Sequence, residues 1–144
     1  MVIFTPGLNI VQASTVPGSE LMLGPRCSRT GVVLAEKEWV KGWWLFHPDT
    51  RTWQDLGPET TRVHVSFPSF SEDGRMVYGL ATAEHAVLRF DLRARRFERV
   101  ADLQPVEEGT SSVQAWMGLA PGDAPLVLRD SGIWDLYVLD WERP

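Results

Sequence analysis

The fold is decided by Pro68-Ser69-Phe70-Ser71-Glu72-Asp73-Gly74-Arg75-Met76-Val77-Tyr78, which carries the end of one strand, a tight turn and the start of the next strand. Asp73-Gly74 can adopt the positive φ angles that a two-residue hairpin turn requires. Met76-Val77-Tyr78 then resumes an apolar run of residues that favour β-structure. The stretch therefore predicts two antiparallel strands joined by a hairpin at Asp73-Gly74.

Similar units of short strands lie on both sides of this stretch. The predicted strands are residues 32–35, 43–46 and 52–56 upstream, and 76–80, 86–91 and 97–100 downstream. A constant offset of 44 residues aligns Phe46 with Phe90, His47 with Asp91 and Trp53 with Phe97. A shorter third copy comprises residues 116–120, 126–128 and 136–140. Repeats of this length with four short strands each are typical of β-propeller blades.

The composition fits a single all-β domain. Of the 144 residues, 44% are hydrophobic, and ten prolines and twelve glycines recur along the chain, which suits many short strands joined by turns. We therefore expect antiparallel four-stranded blades that form a partial β-propeller of about three blades. The expected units are residues 1–30, a lead segment with strands or the remnant of a blade; 31–67, the first blade; 68–114, the central blade; and 115–144, an incomplete C-terminal blade.

The central stretch also carries a family resemblance. Residues 70–78 resemble the S-P-D-G-R signature and following strand of TolB-like, WD-repeat-like propellers, with Glu72 in the usual proline position. Phe90-Asp91-Leu92 and Leu139-Asp140-Trp141 are similar to the family's element of a strand, an aspartate and a small turn, whereas His47 replaces this aspartate in the first unit. The tail from Trp116 resembles the C-terminal blade of bacterial members. Family members include periplasmic scaffolds, propellers attached to peptidases and sensor-like modules, so the resemblance implies a fold and does not choose a function.

Charge and cysteine content argue against several classes of function. Residues 104–144 hold seven acidic and two basic side chains, and the net charge is -5, so we expect no nucleic-acid partner. Cys27 is the only cysteine, which excludes an internal disulfide and a cysteine-rich metal site. No apolar run approaches the roughly 18 residues of a membrane span, and the N-terminus lacks the basic start of a secretory signal. We expect a cytoplasmic protein without a membrane partner, or a periplasmic one if the chain is an extract of a longer exported protein.

The sequence predicts no enzyme and no cofactor. His47, His64 and His85 are scattered, and none lies in a nucleophile-elbow or metal-binding helix pattern. His47-Pro48-Asp49 and Ser71-Glu72-Asp73 lack the number of ligands in a calcium loop, and hairpin turns explain both segments. We therefore expect structural or surface roles for these residues and no metal site.

Two clusters supply the candidate partner-binding residues. Trp39, Trp43 and Trp44, followed by Trp53, could form a platform that stacks on a sugar or a peptide. Trp43 and Trp44 are adjacent in a strand and so face opposite sides, which favours core packing for at least one of them. Arg93, Arg95 and Arg96 form the one basic cluster, in a predicted turn where a charged strand edge is favoured over an anion site.

These observations favour a non-enzymatic β-propeller module that presents loops to a protein or peptide, as part of a larger sensor or scaffold protein. The first alternative is the accessory propeller of a prolyl-oligopeptidase-like hydrolase whose catalytic domain lies outside this chain. A carbohydrate-binding module is the second. Closed propellers have about four to eight blades, and about three are expected here. We therefore expect that the chain forms a homodimer or that the remaining blades of a longer propeller are missing from it.

Overall fold

The computed structural model describes residues 2–6, 11–103 and 116–128, whose regular structure is almost entirely β. The strands are β1 (Val2–Pro6), β2 (Val11–Thr15), β3 (Met22–Cys27), β4 (Val33–Lys37), β5 (Val40–His47), β6 (Thr52–Asp55), β7 (Ser66–Phe70), β8 (Met76–Ala81), β9 (Ala86–Asp91), β10 (Arg96–Asp102), β11 (Trp116–Ala120) and β12 (Ala124–Leu128). A short helix, α1 (Glu59–Arg62), lies between β6 and β7, and a 3₁₀ turn, Pro121–Asp123, joins β11 to β12. The expected all-β class is confirmed. The predicted strand at residues 136–140 lies outside the described residues.

Each four-stranded sheet is a meander in which strands that follow one another in sequence are also neighbours in space. The first sheet has the order β3-β4-β5-β6, and the second sheet has the order β7-β8-β9-β10. Two-stranded sheets are formed by β1 with β2 and by β11 with β12, and every strand pair is antiparallel. The predicted antiparallel four-stranded units are thus confirmed, and the partial propeller of about three blades stays a prediction.

The 44-residue offset read from the sequence aligns equivalent positions of the two sheets. Phe46 lies opposite Trp53 in the ladder between β5 and β6, and Phe90 lies opposite Phe97 in the ladder between β9 and β10. In both pairs the aromatic rings are in contact, with centroids 5.3 Å and 4.9 Å apart. The repeat therefore extends from the sequence to the cross-strand packing.

The turns that follow β5 and β9 share one backbone conformation. The backbone N–H of Arg51 donates to the carbonyl of His47 at 2.8 Å, and that of Arg95 donates to the carbonyl of Asp91 at 2.7 Å. Arg51 and Arg95 both have a positive φ, of 56° and 54°. His47, which stands where the second unit has Asp91, therefore leaves the backbone of the turn unchanged.

The core lies between the sheets. Trp43 from the first sheet contacts Phe90 and Phe97 from the second, edge to face, with centroids 5.8 Å and 5.6 Å apart. A second buried cluster joins the other face of the second sheet to β11 through Tyr78 and Met117. The three units thus pack in the order in which they occur along the chain.

Two boundaries differ from the prediction. The first sheet begins at Met22, inside the predicted lead segment 1–30, because β3 pairs with β4. Its sequence contains Gly24-Pro25 at a register shift and most of its side chains are exposed, so it shows no strand-like alternation. The connection between the predicted strands at residues 32–35 and 43–46 is a tight turn, because both strands extend toward it and Lys37 pairs with Val40.

The turn between β7 and β8 is wider than predicted. The backbone N–H of Ser71 donates to the carbonyl of Met76 at 2.9 Å, so four residues form the loop, and the predicted two-residue hairpin is wrong. Gly74 has a φ of 70°, whereas Asp73 does not have a positive φ. The Asp73 carboxylate instead accepts hydrogen bonds from the backbone of Arg75 at 3.0 Å and from the hydroxyl of Ser71 at 2.7 Å, and these bonds lower its pKa.

Gly74→Ala is expected to lower the free energy of unfolding by about 1–2 kcal/mol, because a residue with a Cβ is strained at this φ. The added Cβ would meet nothing closer than 3.9 Å, so backbone strain is the whole cost. Gly74→Asn is the control, since asparagine tolerates a positive φ and should lose less. Urea denaturation measures both variants, and equal midpoints for the parent and the alanine variant would show that position 74 is unstrained.

Within the described part of the chain, no helix is long and apolar enough to cross a lipid bilayer.

Candidate functional site

One end of the sheets collects the turns from all three units, and we call it the turn face. Successive turns of a meander alternate between its two ends, so the turns after β3 and β5, and those after β7 and β9, share an end. The turns of different units also touch: the side chain of Arg29 lies 3.4 Å from that of Glu72. The turn face consists of residues 28–32, 48–51, 71–75, 92–95 and 121–123.

A serine turn is repeated on this face. The carbonyl of Ser28 accepts a hydrogen bond from the N–H of Gly31 at 3.1 Å, and the carbonyl of Ser71 accepts one from the N–H of Gly74 at 3.0 Å. Each serine hydroxyl also accepts a bond from the backbone N–H that precedes or begins the next strand, at 3.0 Å and 2.9 Å. Both serine side chains are buried. This repeat was not among the features predicted from the sequence, although Ser-x-x-Gly recurs at an offset of 43 residues.

Polar contacts link the three units across the turn face. Arg29 pairs with the carboxylate of Glu72, and the backbone N–H of Glu72 donates to the carboxylate of Asp123 at 2.8 Å. The Arg29–Glu72 pair is exposed on both sides and so stabilises the fold little. The bond to Asp123 fixes the turn after β11 against the turn after β7.

Two clefts open on either side of the turn between β7 and β8. The first, which we call the polar cleft, has a volume of about 440 Å³ and lies at the ends of β3, β7 and β11. Arg26, Arg29, Glu72 and Asp123 bring both signs of charge to it, and Phe70 is among its few large apolar residues. Arg29 pairs with Glu72, so the charges of this cleft favour neither an anionic nor a cationic ligand.

The second, which we call the inter-sheet cleft, has a volume of about 610 Å³ and lies between the first and second sheets. Its apolar lining comprises Val32, Leu45, Met76 and Leu92. Its polar lining comprises His47, Gln54, Arg75, Asp91 and Arg93. The turn between β7 and β8 therefore lines both clefts. Ser71 and Glu72 line the polar cleft, and Gly74 and Arg75 line the inter-sheet cleft.

Most polar groups of the inter-sheet cleft already have partners. The His47 Nε2 atom lies 3.0 Å from the Gln54 side-chain oxygen. The Asp91 carboxylate accepts hydrogen bonds from the backbone N–H groups of Ala94 and Arg93, both at 2.8 Å, and these bonds lower its pKa. The guanidinium of Arg93 has no hydrogen-bond or ion-pair partner among the described residues. It is the least satisfied polar group of the cleft.

The structure separates the predicted basic cluster into different roles. Arg93 lines the inter-sheet cleft, whereas the Arg95 guanidinium donates to the carbonyl of Asp55 at 3.2 Å. Arg96 and Arg89 both donate to the carboxylate of Glu98, at distances of 2.9–3.0 Å. These bonds, first that from Arg89 and then that from Arg96, lower the pKa of Glu98. Of the three residues, Arg96 therefore belongs to a paired, charged edge on β10, Arg95 binds the backbone of β6, and Arg93 alone lines a cleft.

The tryptophans do not form the platform that the sequence suggested. Trp43 is buried, at 3% exposure, and offers no ring to a partner, whereas Trp44 is half-buried with the Lys37 ammonium 5.2 Å from its ring centre. Trp39 is 91% exposed in the turn between β4 and β5, at the opposite end of the first sheet from the turn face. The opposite facing of Trp43 and Trp44 is confirmed. Trp39 and Arg93 lie at opposite ends of the sheets and cannot act in one site.

The histidines are equally dispersed. His47 lines the inter-sheet cleft, while His64 precedes β7 and His85 lies in the turn between β8 and β9. Cys27 is exposed at the end of β3. Across residues 2–6, 11–103 and 116–128, no group of three or more His, Cys, Asp or Glu side chains is placed to hold a metal ion.

Comparison of this chain with known proteins assigns no function to either cleft. The resemblance of residues 70–78 to TolB-like propellers thus stays a prediction from the motif. No family model, no curated protein and no solved structure matches this chain.

Proposed function

We propose that this chain is a non-enzymatic module of β-propeller type that binds a protein or peptide partner through its turn face. The observation that carries the proposal is the inter-sheet cleft, in which four apolar side chains lie beside five polar ones between the two sheets. The propeller assignment is supported by consecutive four-stranded meanders that pack in chain order and by the serine turn at equivalent positions of both sheets. Partner-binding residues are commonly carried on turns that a rigid scaffold positions.

The shape and lining of the inter-sheet cleft suit a peptide side chain. Ligand sites are usually concave, mostly apolar and about 300–1,000 Å³ in volume, with a few polar groups that fix orientation. The cleft has a volume of about 610 Å³, and Leu45 in its lining is buried. The exposed side chains of Gln54, Arg75 and Arg93 supply a polar rim of the kind that surrounds the apolar centre of protein interfaces.

The carbohydrate alternative is less well supported. A sugar-binding platform needs exposed aromatic rings side by side, and the burial of Trp43 leaves Trp39 without its nearest predicted partner. The alternative of an accessory propeller beside a hydrolase shares the proposed fold. It has no separate support in the described residues.

A peptide selection tests the proposed function. A phage-displayed library of random dodecapeptides is selected on the immobilised protein, and the enriched peptides are measured against two variants. Gln54→Trp fills the inter-sheet cleft from an exposed position and is expected to abolish binding of most enriched peptides. Glu84→Trp, at an exposed position on the opposite end of the sheets, is the matched control and should leave binding unchanged.

The selection can also contradict the proposal. Peptides that lose binding on Glu84→Trp or Trp39→Ala, and retain it on Gln54→Trp, would place the binding surface at the opposite end of the sheets. A library that yields no enriched peptide would remove the peptide-binding function altogether. Circular dichroism of each variant confirms that the loss of binding is not a loss of fold.

A further inference from the structure

We infer that the inter-sheet cleft selects partners that carry an acidic side chain next to an apolar one, with Arg93 and Arg75 as the groups that bind the carboxylate. The inference rests on the proposed function and names the chemistry of the ligand. Among the described clefts, only this one combines an apolar lining with an arginine that has no hydrogen-bond or ion-pair partner among the described residues.

The two arginines belong to turns that are tied together. The backbone N–H of Leu92 donates to the carbonyl of Arg75 at 3.1 Å, which joins the turn after β9 to the turn after β7. Arg75 and Arg93 are both exposed, and both line the same cleft. A guanidinium presents five N–H donors in a planar fork that matches a carboxylate. The backbone therefore brings two such forks to one rim.

The protein's own carboxylates do not consume these donors. Asp91 is occupied by the backbone N–H groups of Arg93 and Ala94, and Asp73 is occupied by Ser71 and the backbone of Arg75. The side chains of Arg75 and Asp73 approach to only 3.8 Å and are largely exposed, so their attraction is weak. Both carboxylates are turn caps, and the guanidinium groups still have donors for an incoming carboxylate.

The apolar lining of the inter-sheet cleft selects an apolar side chain in the ligand. Leu45 is 4% exposed, and Val32, Met76 and Leu92 are half-buried around the same space. An apolar side chain placed there gains from burial in proportion to the area it removes from water. Because the arginines stand on the rim of this space, the carboxylate must lie within a residue or so of the apolar side chain. The ligand class is therefore a peptide segment with adjacent acidic and apolar residues.

A peptide array tests this ligand class. Hexapeptides, acetylated and amidated so that the side chain is the only carboxylate, pair Leu, Met or Phe with Asp, Glu, Asn, Gln or Lys in a Ser-Gly background. The acidic pairs are expected to bind about threefold to tenfold more tightly than the matched amide pairs, since an ion pair with an exposed arginine contributes only modestly and two arginines stand on the rim. Raising the salt concentration from 50 to 500 mM should weaken the acidic pairs and leave the amide pairs nearly unchanged.

Protein variants assign the effect to named residues. Arg93→Gln is expected to remove the preference for acidic over amide pairs, and Arg75→Gln is expected to reduce it. Arg95→Gln is the matched control, because Arg95 lies in the same turn and its guanidinium is directed to the carbonyl of Asp55. This control should keep the full preference.

The outcomes separate the two proposals. Equal binding of acidic and amide pairs, lost on Gln54→Trp, would overturn the acidic preference and leave the proposed function standing. An acidic preference that survives Arg93→Gln and Arg75→Gln would overturn the assignment to this cleft. If no peptide on the array and none from the phage selection binds, both the inference and the proposed function fail.

Discussion

Trp43→Ala is expected to lower the free energy of unfolding by about 3–5 kcal/mol, as large-to-small substitutions of buried aromatic residues do. Trp43 is 3% exposed and packs edge to face against Phe90 and Phe97. The substitution removes this buried area, leaves a cavity and breaks two aromatic contacts between the first and second sheets. Its effect should therefore reach both sheets, although only one carries the change.

The chain offers a matched control four residues away. Trp39→Ala removes the same side chain from a position that is 91% exposed, and we expect a change within about 0.5 kcal/mol. Urea denaturation followed by far-ultraviolet circular dichroism measures both variants, with Trp43→Phe as an intermediate that keeps an aromatic ring. Coincident transitions for the two alanine variants would show that Trp43 does not form the junction between the sheets.

The sequence predicted the parts of the fold whose signals are local. Strands β8 and β9 combine β-favouring residues with flanking turns, so their positions could be read directly. The alignment of Phe46 with Phe90 and of Trp53 with Phe97 placed two hairpins correctly, because each pair occupies a cross-strand position in its own sheet. The repeat thus located strand pairs that the residue pattern of a single strand does not reveal.

The sequence failed where tertiary contacts override the local signal. A strand was expected in the lead segment, but Gly24-Pro25 and the exposed side chains of β3 gave no sign that it pairs with β4 and begins the first sheet. The turn at Ser28 was missed because Thr30 stands where the second turn has Asp73, and because the first turn is one residue shorter. The short connection at Trp39 was missed because tryptophan with a φ of 65° is not a turn signal.

Of the residues predicted to bind a partner, only Arg93 lines the inter-sheet cleft. Arg93 stood out in a basic cluster, but nothing in the sequence distinguished it from Arg95, whose guanidinium turns to a backbone carbonyl. His47 and Asp91 occupy equivalent positions of consecutive units, and both line the inter-sheet cleft. A cleft between two sheets depends on how the sheets pack, and a repeat shows which positions are equivalent without showing which of them face one another.

Gly79→Ala is expected to lower the free energy of unfolding by about 3 kcal/mol, at the upper end of the usual cost of overpacking a core. Gly79 is buried in β8, and a Cβ added there would overlap the Cγ1 atom of Val65 and come within 3.2 Å of the carbonyl oxygen of Ser66. Gly79 does not have a positive φ, so the cost is one of packing. This is the opposite of Gly74, where the backbone is strained and space is available.

A double-mutant cycle tests the stated cause. Val65 is 3% exposed, so Val65→Ala alone should cost about 1–3 kcal/mol by leaving a cavity. In the double variant the new methyl group at position 79 occupies part of the space that the valine leaves. The double variant should therefore be more stable than the sum of the two single losses predicts, by about 1–3 kcal/mol, measured by urea denaturation. Strictly additive losses would show that the two residues do not contact each other and that Val65, just before β7, does not pack on β8 in the way the structure describes.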